Sequence, residues 1–307
     1  MIEAEALTKV YPGGVEAVRS ITFAVEPGEV FGLLGPNGAG KSTTIGMLTT
    51  TVTPTSGVAR VGGHDVARSP LAARAVTGVV FQEPTVDRAL TGRRNLELHA
   101  RLWRAGRDRI DALAEALGLE NLLDRAVATY SGGERRRLEI ARALVAEPSV
   151  LLLDEPTVGL DPRIRHELLA AIASLRDAGE LTILVTTHYL DEAERLCDRI
   201  AIVHEGRIVA LDTPGALRAR LGAEIVELRV DGDGNRALAR LREHGVANGE
   251  AFAVGSTLTL PLAEQTASAA IAAIELLELP ITALSTRRPS LDDVYLQLTG
   301  GRLAEAA

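Results

Sequence analysis

A glycine-rich stretch near the start of the chain, GPNGAGKST at residues 35–43, constrains the fold more than any other feature. It matches the pattern G-x-x-x-x-G-K-[S/T], in which glycines let the backbone curl so that amide N–H groups point at phosphate oxygens. The stretch follows a short apolar run, Val30–Leu34, and precedes a predicted helix over Lys41–Thr50. A strand, a phosphate-binding loop and a helix in this order predict an α/β domain that binds a nucleoside triphosphate.

The residue types in this loop suit a nucleotide that carries a magnesium ion. Lys41 is predicted to bridge the β- and γ-phosphates, and Ser42 is predicted to ligate Mg²⁺. The residues predicted to bind the nucleotide are Gly35, Pro36, Asn37, Gly38, Ala39, Gly40, Lys41, Ser42 and Thr43.

Two acidic residues follow a second predicted strand. The continuous apolar runs Val150–Leu153 and Thr182–Thr186 are typical of parallel strands covered on both faces. Asp154 is predicted to hold Mg²⁺, directly or through water, and Glu155 to act as the general base towards the attacking water. An acidic pair after a strand is often only a solvated turn, but next to a phosphate loop it favours hydrolysis of a nucleoside triphosphate.

Further short motifs extend this pattern: Gln82 after the predicted strand Thr77–Phe81, SGGE at 131–134, GLD at 159–161 and TTH at 186–188. In this order and spacing they resemble the ATP-binding cassette (ABC) ATPases, over about residues 1–220. The resemblance implies a P-loop α/β fold: a RecA-like core, an antiparallel β subdomain and a helical subdomain at about residues 83–150.

The same resemblance implies roles for single residues. Tyr11 is similar to the aromatic residue that stacks on adenine, and Gln82 to the glutamine that joins Mg²⁺ and water to the helical subdomain and to a membrane partner. His188 resembles the switch histidine that contacts the γ-phosphate, so the implied catalytic residues are Glu155, His188, Gln82 and Lys41. Asp161 resembles the acid that communicates across a dimer of cassettes.

The stretch Ser131–Glu134 opens a predicted helix with two glycines, which form helices poorly. The resemblance implies that Ser131, Gly132 and Gly133 close over ATP held by a second cassette, so that ATP joins two copies and its hydrolysis releases them. Glu134 stands where the family usually has glutamine. Because Ser131 and Glu134 have the S-x-x-E spacing of a capping box, we expect the Glu134 side chain to turn back to its own backbone.

Beyond residue 220 these motifs stop, and an accessory or regulatory α+β domain is predicted over residues 221–307. Its pattern is β-α-β-β-α-β, which is typical of a ferredoxin-like arrangement. The predicted elements are Ile225–Val230, Arg236–Glu243, Phe252–Val254, Thr257–Leu260, Ala263–Leu277 and Ile281–Thr286. A final helix is predicted over Leu291–Leu298, because Ser290 precedes it and Asp292 and Asp293 lie in its first turn.

Composition and charge limit the partners. The net charge of −8 argues against non-specific nucleic-acid binding, and the arginines at 135–137 are expected on a solvated or interface face of their helix. A single cysteine excludes an internal disulfide and fits a reducing compartment. We find no signal peptide and no apolar run of the roughly 20 residues that span a bilayer. Together with these observations, the resemblance to ABC ATPases implies a protein at the cytoplasmic face of the plasma membrane, held by a separate permease, with no nucleic-acid partner.

Two stretches, Gln82–Leu96 and Arg288–Gly300, resemble bacterial exporters of the daunorubicin-resistance type. That resemblance implies efflux of a drug or lipophilic compound. An importer cassette would share every catalytic residue and stays open as an alternative. A soluble ABC ATPase that acts on ribosomes or DNA is the second alternative; that class typically has tandem cassettes or coiled-coil insertions, and the sequence shows neither pattern.

Overall fold

A computed structural model describes residues 1–177, 181–262 and 266–300, and in it the chain divides into two compact units. The first is Met1–Ile208, and the second begins at Val209. The division between an ATPase domain and an accessory domain near residue 220 stays a prediction. None of the described helices is both long enough and apolar enough to cross a membrane.

The first unit contains ten strands and seven α-helices among its described residues, counting the strand that runs across its end. In chain order they are β1 (Ile2–Tyr11), β2 (Val15–Val25), β3 (Val30–Leu34), α1 (Lys41–Leu48), β4 (Ser56–Val61), β5 (His64–Asp65), α2 (Pro70–Ala75), β6 (Thr77–Val80), α3 (Gly92–Trp103), α4 (Arg107–Leu117), α5 (Gly132–Leu144), β7 (Val150–Asp154), α6 (Pro162–Asp177), β8 (Thr182–Thr187), α7 (Leu190–Leu196), β9 (Arg199–His204) and β10 (Arg207–Asp212).

A six-stranded sheet in the order β10-β9-β3-β8-β7-β6 forms the core of this unit. Its strands β9, β3, β8, β7 and β6 pair in parallel, and β3, β7 and β8 are buried along their whole length. The predicted parallel strands are therefore confirmed. Because parallel strands end at the same edge, the residues after β3, β7 and β8 gather there, which is where α/β proteins bind ligands.

Two further layers complete the unit. An antiparallel sheet in the order β2-β1-β4-β5 corresponds to the antiparallel β subdomain that the resemblance implies, and its strand β1 ends at Tyr11. Helices α3, α4 and α5 confirm the helical region predicted between β6 and β7. Thr91 caps α3, since its hydroxyl accepts a hydrogen bond from the Arg94 amide.

The second unit has the predicted β-α-β-β-α-β order. After α8 (Pro214–Ala219) its elements are β11 (Glu224–Val230), α9 (Gly234–Glu243), β12 (Phe252–Val254), β13 (Thr257–Leu262), α10 (Ala267–Glu275), β14 (Ile281–Arg287) and α11 (Leu291–Thr299). The four strands form one antiparallel sheet in the order β12-β13-β11-β14. The predicted start of the second helix, residues 263–265, lies outside the described residues.

The terminal helix α11 is fixed by a buried carboxylate. Asp293 and Ser290 form a capping box, and Asp293 also accepts two hydrogen bonds from the Arg287 guanidinium, at 2.6 and 2.7 Å. Burial disfavours the charged form, yet the hydrogen bonds from Arg287 and Ser290 outweigh it and hold the pKa of Asp293 below its usual value. These contacts within the second unit explain the residue types at the start of the stretch Arg288–Gly300.

Candidate active site

The phosphate-loop geometry requires its glycines. Gly40 caps α1 with a φ of 101°, and a Cβ atom there would lie 2.3 Å from the carbonyl oxygen of Ala17. No side chain caps the start of α1, so its first N–H groups lie open at the mouth of the loop. An unblocked helix start with exposed Gly38 beside it is a fit for a phosphate group.

The ammonium group of Lys41 lies inside this loop. It donates hydrogen bonds to the carbonyl oxygens of Gly35 (2.7 Å) and Pro36 (3.1 Å) and lies 3.0 Å from Glu155 Oε1. Lys41 is only 4% exposed and Glu155 only 5%. Two buried opposite charges at this distance form an ion pair whose partners each depend on the other.

Asp154, at the end of β7, accepts hydrogen bonds from two hydroxyl groups. Its Oδ1 accepts from Ser42 Oγ at 3.2 Å and from Thr186 Oγ1 at 2.6 Å. A carboxylate and a serine hydroxyl are oxygen donors of the kind that Mg²⁺ prefers, so the residue types here fit that ion.

Glu155 stands at the centre of the proposed catalytic residues. Its carboxylate lies 3.5 Å from Gln82 Nε2 and 3.4 Å from His188 Nδ1. Its backbone has a φ of 44°, in the region that favours glycine, and its N–H donates to Thr186 Oγ1 at 2.9 Å. Both ring nitrogens of buried His188 lack a hydrogen-bond partner within the described part of the chain. An orphaned donor beside the loop suits a phosphate oxygen.

Tyr11 lies at the edge of this site, with its hydroxyl 3.5 Å from Thr43 Oγ1 and the Lys9 ammonium 5.1 Å from its ring centroid. By contrast, Ser131 and Asp161 make side-chain hydrogen bonds to their own helices: Ser131 Oγ accepts from the Glu134 N–H, and Asp161 Oδ1 accepts from the Ile164 N–H at 3.1 Å. The structure thus brings together Lys41, Ser42, Gln82, Asp154, Glu155 and His188, and it does not place Ser131, Gly132, Gly133 or Asp161 in contact with them.

The start of α5 confirms the predicted capping box. The Glu134 carboxylate accepts from the Ser131 N–H at 2.6 Å, and Ser131 Oγ accepts from the Glu134 N–H at 3.2 Å. A Cβ atom on Gly133 would lie 2.2 Å from Ile164 Cγ2, so this glycine is needed for packing against α6. Ser131 and Gly132 are exposed at the helix mouth.

Comparison with known proteins agrees with this geometry. The family model described as ABC transporter matches residues 18–158. The daunorubicin/doxorubicin resistance ATP-binding protein DrrA of Streptomyces peucetius is 43% identical, over 97% of this chain and 92% of its own length. The chain belongs to the ABC transporter family.

Two further comparisons extend this result. The linearmycin resistance ATP-binding protein LnrL of Bacillus subtilis is 34% identical, over 99% of this chain and 100% of its own length. The ATP-binding cassette MJ0796, in a dimeric post-hydrolysis structure bound to ADP and phosphate, has a TM-score of 0.63 and 26% identity, over 69% of this chain and 98% of its own. The ABC cassette fold is confirmed, and this ABC ATPase binds and hydrolyses ATP.

The sequence led to a wrong prediction for one residue beside the active site, Arg136. The arginines at 135–137 were expected on a solvated or interface face, but Arg136 is buried. Its guanidinium donates to the carbonyl oxygens of Phe81, Asp154, Glu155 and Pro156, at 2.5 to 3.0 Å, and pairs with Glu139 at 3.0 Å. The expectation was wrong for Arg136, because carbonyl oxygens at the end of β7 and just after β6 accept hydrogen bonds from its guanidinium.

Arg136 therefore joins the helix behind Ser131 to the strand ends that carry Gln82 and Glu155. Glu139, its partner, accepts from the Thr85 N–H at 2.9 Å, so the segment after Gln82 is tied to the same helix. A sequence signal existed: Arg136 is one helical turn from Ile140 and two from Ala143, both buried in α5.

We predict that Arg136→Lys lowers the free energy of unfolding by about 3 kcal/mol, because an ammonium cannot replace the fork of donors to five acceptors. Turnover of ATP should fall as well, since the carbonyls of Asp154 and Glu155 lose their common donor. Denaturant unfolding and steady-state ATPase assays measure the two effects. Arg68→Lys, at an exposed position, is the control; equal stability of the two variants would contradict the assigned role.

Proposed function

We propose that this ABC ATPase uses Mg²⁺ and works as a dimer that drives a separate permease, exporting a drug or lipophilic compound from the cytoplasmic face of the plasma membrane. The observation that carries the catalytic part is that buried Glu155 contacts the buried Lys41 and His188 and the exposed Gln82. An importer cassette would share these contacts, so the export direction is proposed from the relatives below.

Glu155 is the proposed general base, and the ion pair with Lys41 controls it. In the structure the Lys41 ammonium neutralises the Glu155 carboxylate at 3.0 Å. A triphosphate in the loop competes for this ammonium, so Lys41 turns towards phosphate and leaves the carboxylate free to accept a proton from water. The substrate thereby activates its own base.

The other residues orient the reacting groups. Ser42, Asp154 and Gln82 would hold Mg²⁺, which when bound neutralises charge on the phosphates. We propose that the His188 imidazole, whose ring nitrogens make no hydrogen bond within the described residues, donates to a γ-phosphate oxygen and that Gln82 orients water beside Glu155. Tyr11, beside Thr43, is the proposed stacking surface for adenine.

The dimer is proposed from the open helix mouth of α5. Ser131 and Gly132 are exposed there, and the nearby residues Val158, Gly159 and Asp161 are exposed as well. Such an N-terminus offers backbone N–H groups to an anion, and its own phosphate loop does not contact it. We propose that the ATP of a second copy binds there, with Asp161 facing the same partner. The similar MJ0796 cassette, described as dimeric, supports this arrangement.

A groove beside Gln82 supports a permease partner. It has a volume of about 280 Å³ and is lined by Phe81, Leu48, His99, Trp103 and Arg142, among others. Burial, aided by the Arg142 guanidinium, lowers the pKa of His99 and favours its neutral form. Trp103, at the rim, is 41% exposed. We propose that a cytoplasmic segment of the permease fills this groove. Its binding would shift Phe81, which lines the groove, and with it the adjacent Gln82.

The export direction and cargo class are proposed from the relatives. DrrA is named for resistance to daunorubicin and doxorubicin, and LnrL for resistance to linearmycin. Both align with almost the whole of this chain, including the second unit. We therefore propose a lipophilic, antibiotic-like cargo, carried by the permease.

We predict that Glu155→Gln abolishes steady-state ATPase activity, while ATP still binds and ATP-bound dimers accumulate. The amide keeps the shape of the carboxylate but cannot accept the proton of the attacking water. A phosphate-release assay and light scattering with ATP test this, with Glu115→Gln on the exposed face of α4 as control. Unchanged turnover in Glu155→Gln would refute the general-base assignment.

We predict that Trp103→Glu prevents capture of the neighbouring-gene permease from detergent-solubilised membranes. A carboxylate at the groove rim makes burial of an apolar partner segment costly. Leu276→Glu, at an apolar position of the second unit that is 84% exposed, is the control and should capture the permease normally. Recovery of only ribosomes or DNA by the wild-type chain would overturn the transporter proposal.

A further inference from the structure

Glu192 on α7 is a buried carboxylate that the proposed mechanism does not use. It is 2% exposed and lies between two segments that carry proposed catalytic and interface residues. Its Oε1 accepts from Thr157 Oγ1 at 2.5 Å, and its Oε2 accepts from Thr187 Oγ1 at 2.8 Å. A carboxylate that accepts two buried hydroxyl groups fixes the spacing between them.

Each of these hydroxyl groups is next to a proposed functional residue. Thr157 is two residues after Glu155, and its carbonyl oxygen accepts from the Leu160 N–H at 3.1 Å, which shapes the loop before Asp161. Thr187 directly precedes His188, and its Oγ1 also accepts from the Tyr189 N–H at 2.9 Å. Both side chains are buried. Movement of either segment would therefore have to break a hydrogen bond to Glu192.

Arg165 links the same carboxylate to helix α6. Its Nε lies 3.4 Å from Glu192 Oε1, and its guanidinium lies 3.8 Å from the centroid of the Tyr189 ring. The Tyr189 ring in turn packs against His188, with 4.1 Å between ring centroids. Helix α6 begins directly after Asp161 and contacts Gly133 through Ile164. A continuous set of contacts therefore runs from the loop before α6 to the imidazole of His188.

The geometry points to Glu192 as a positioning residue that holds His188 in register with Glu155 and with the loop 157–161. When a second cassette packs against this loop, it shifts Thr157 and its hydrogen bond to Glu192. Because the same carboxylate accepts from Thr187, the shift also displaces Thr187 and the neighbouring His188. Glu192 itself does not touch nucleotide. Glu192 affects the rate at which bound ATP is hydrolysed, whereas the phosphate loop determines the affinity for ATP. The inference rests on the proposed role of His188.

A double-mutant cycle between Glu192 and His188 tests this inference. Glu192→Ala should lower kcat by about 10- to 100-fold, because misplacement of an imidazole by about 1 Å is enough for such a loss, with KM for ATP changed by less than about twofold. In the His188→Ala background the same substitution should have little further effect on kcat. Asp191→Asn, the exposed neighbour, is the control and should behave as wild type.

Glu192→Gln serves as a second variant if Glu192→Ala fails to fold. Its amide keeps the size of the side chain but offers one acceptor in place of two, so kcat should fall less than in the alanine variant and the cycle should show the same coupling. Independent, multiplicative losses in kcat would overturn the positioning role and indicate a structural one. If His188→Ala alone leaves kcat unchanged, the proposed function of His188 fails instead, and the two failures are distinguished.

Discussion

The buried ion pair between Lys41 and Glu155 is the interaction on which the rest of the structure depends. Each of these charges is almost fully removed from water, and neither would be stable there without the other. Their meeting requires that β3 and β7 lie in one parallel sheet with a single strand, β8, between them. It also requires Gly35 and Gly40, because a side chain at either position would strike a carbonyl oxygen at 2.3 Å.

Around this pair, three buried side chains form hydrogen bonds to groups at the ends of the strands. Arg136 fixes α5 to the carbonyls that flank Glu155, Thr186 fixes Asp154 and the Glu155 amide, and Glu192 fixes the segment before His188. In each case one buried polar side chain hydrogen-bonds several groups at or just after the ends of the strands. Because α5, the Asp154 carboxylate and the segment before His188 all bond to groups at these strand ends, a change at any of them lies a short distance from Glu155.

The sequence predicted the parts of this arrangement that follow from local chemistry. Neighbouring residues alone explain three features: the glycines at fixed spacing, the acid after an apolar run and the Ser131–Glu134 spacing. The predicted strands and the capping box were confirmed. The burial of Arg136 and Glu192 depends on which strand ends meet them in three dimensions. The sequence around these residues does not show which carbonyl or hydroxyl groups will pair with them, so Arg136 was wrongly expected on a solvated or interface face and Glu192 was not singled out.

We propose that ATP bound in the phosphate loop of one copy is covered by the start of helix α5, Ser131–Gly133, of another copy. Two inactive variants, Lys41→Ala and Ser131→Arg, test it most directly when they are mixed and their ATPase activity is measured. If closure occurs between copies, the mixed dimer contains one site with an intact loop and an intact helix mouth, and activity returns. If each copy closes its own site, every site in the mixture carries a defect, and the absence of any recovered activity in demonstrably mixed dimers would contradict the account.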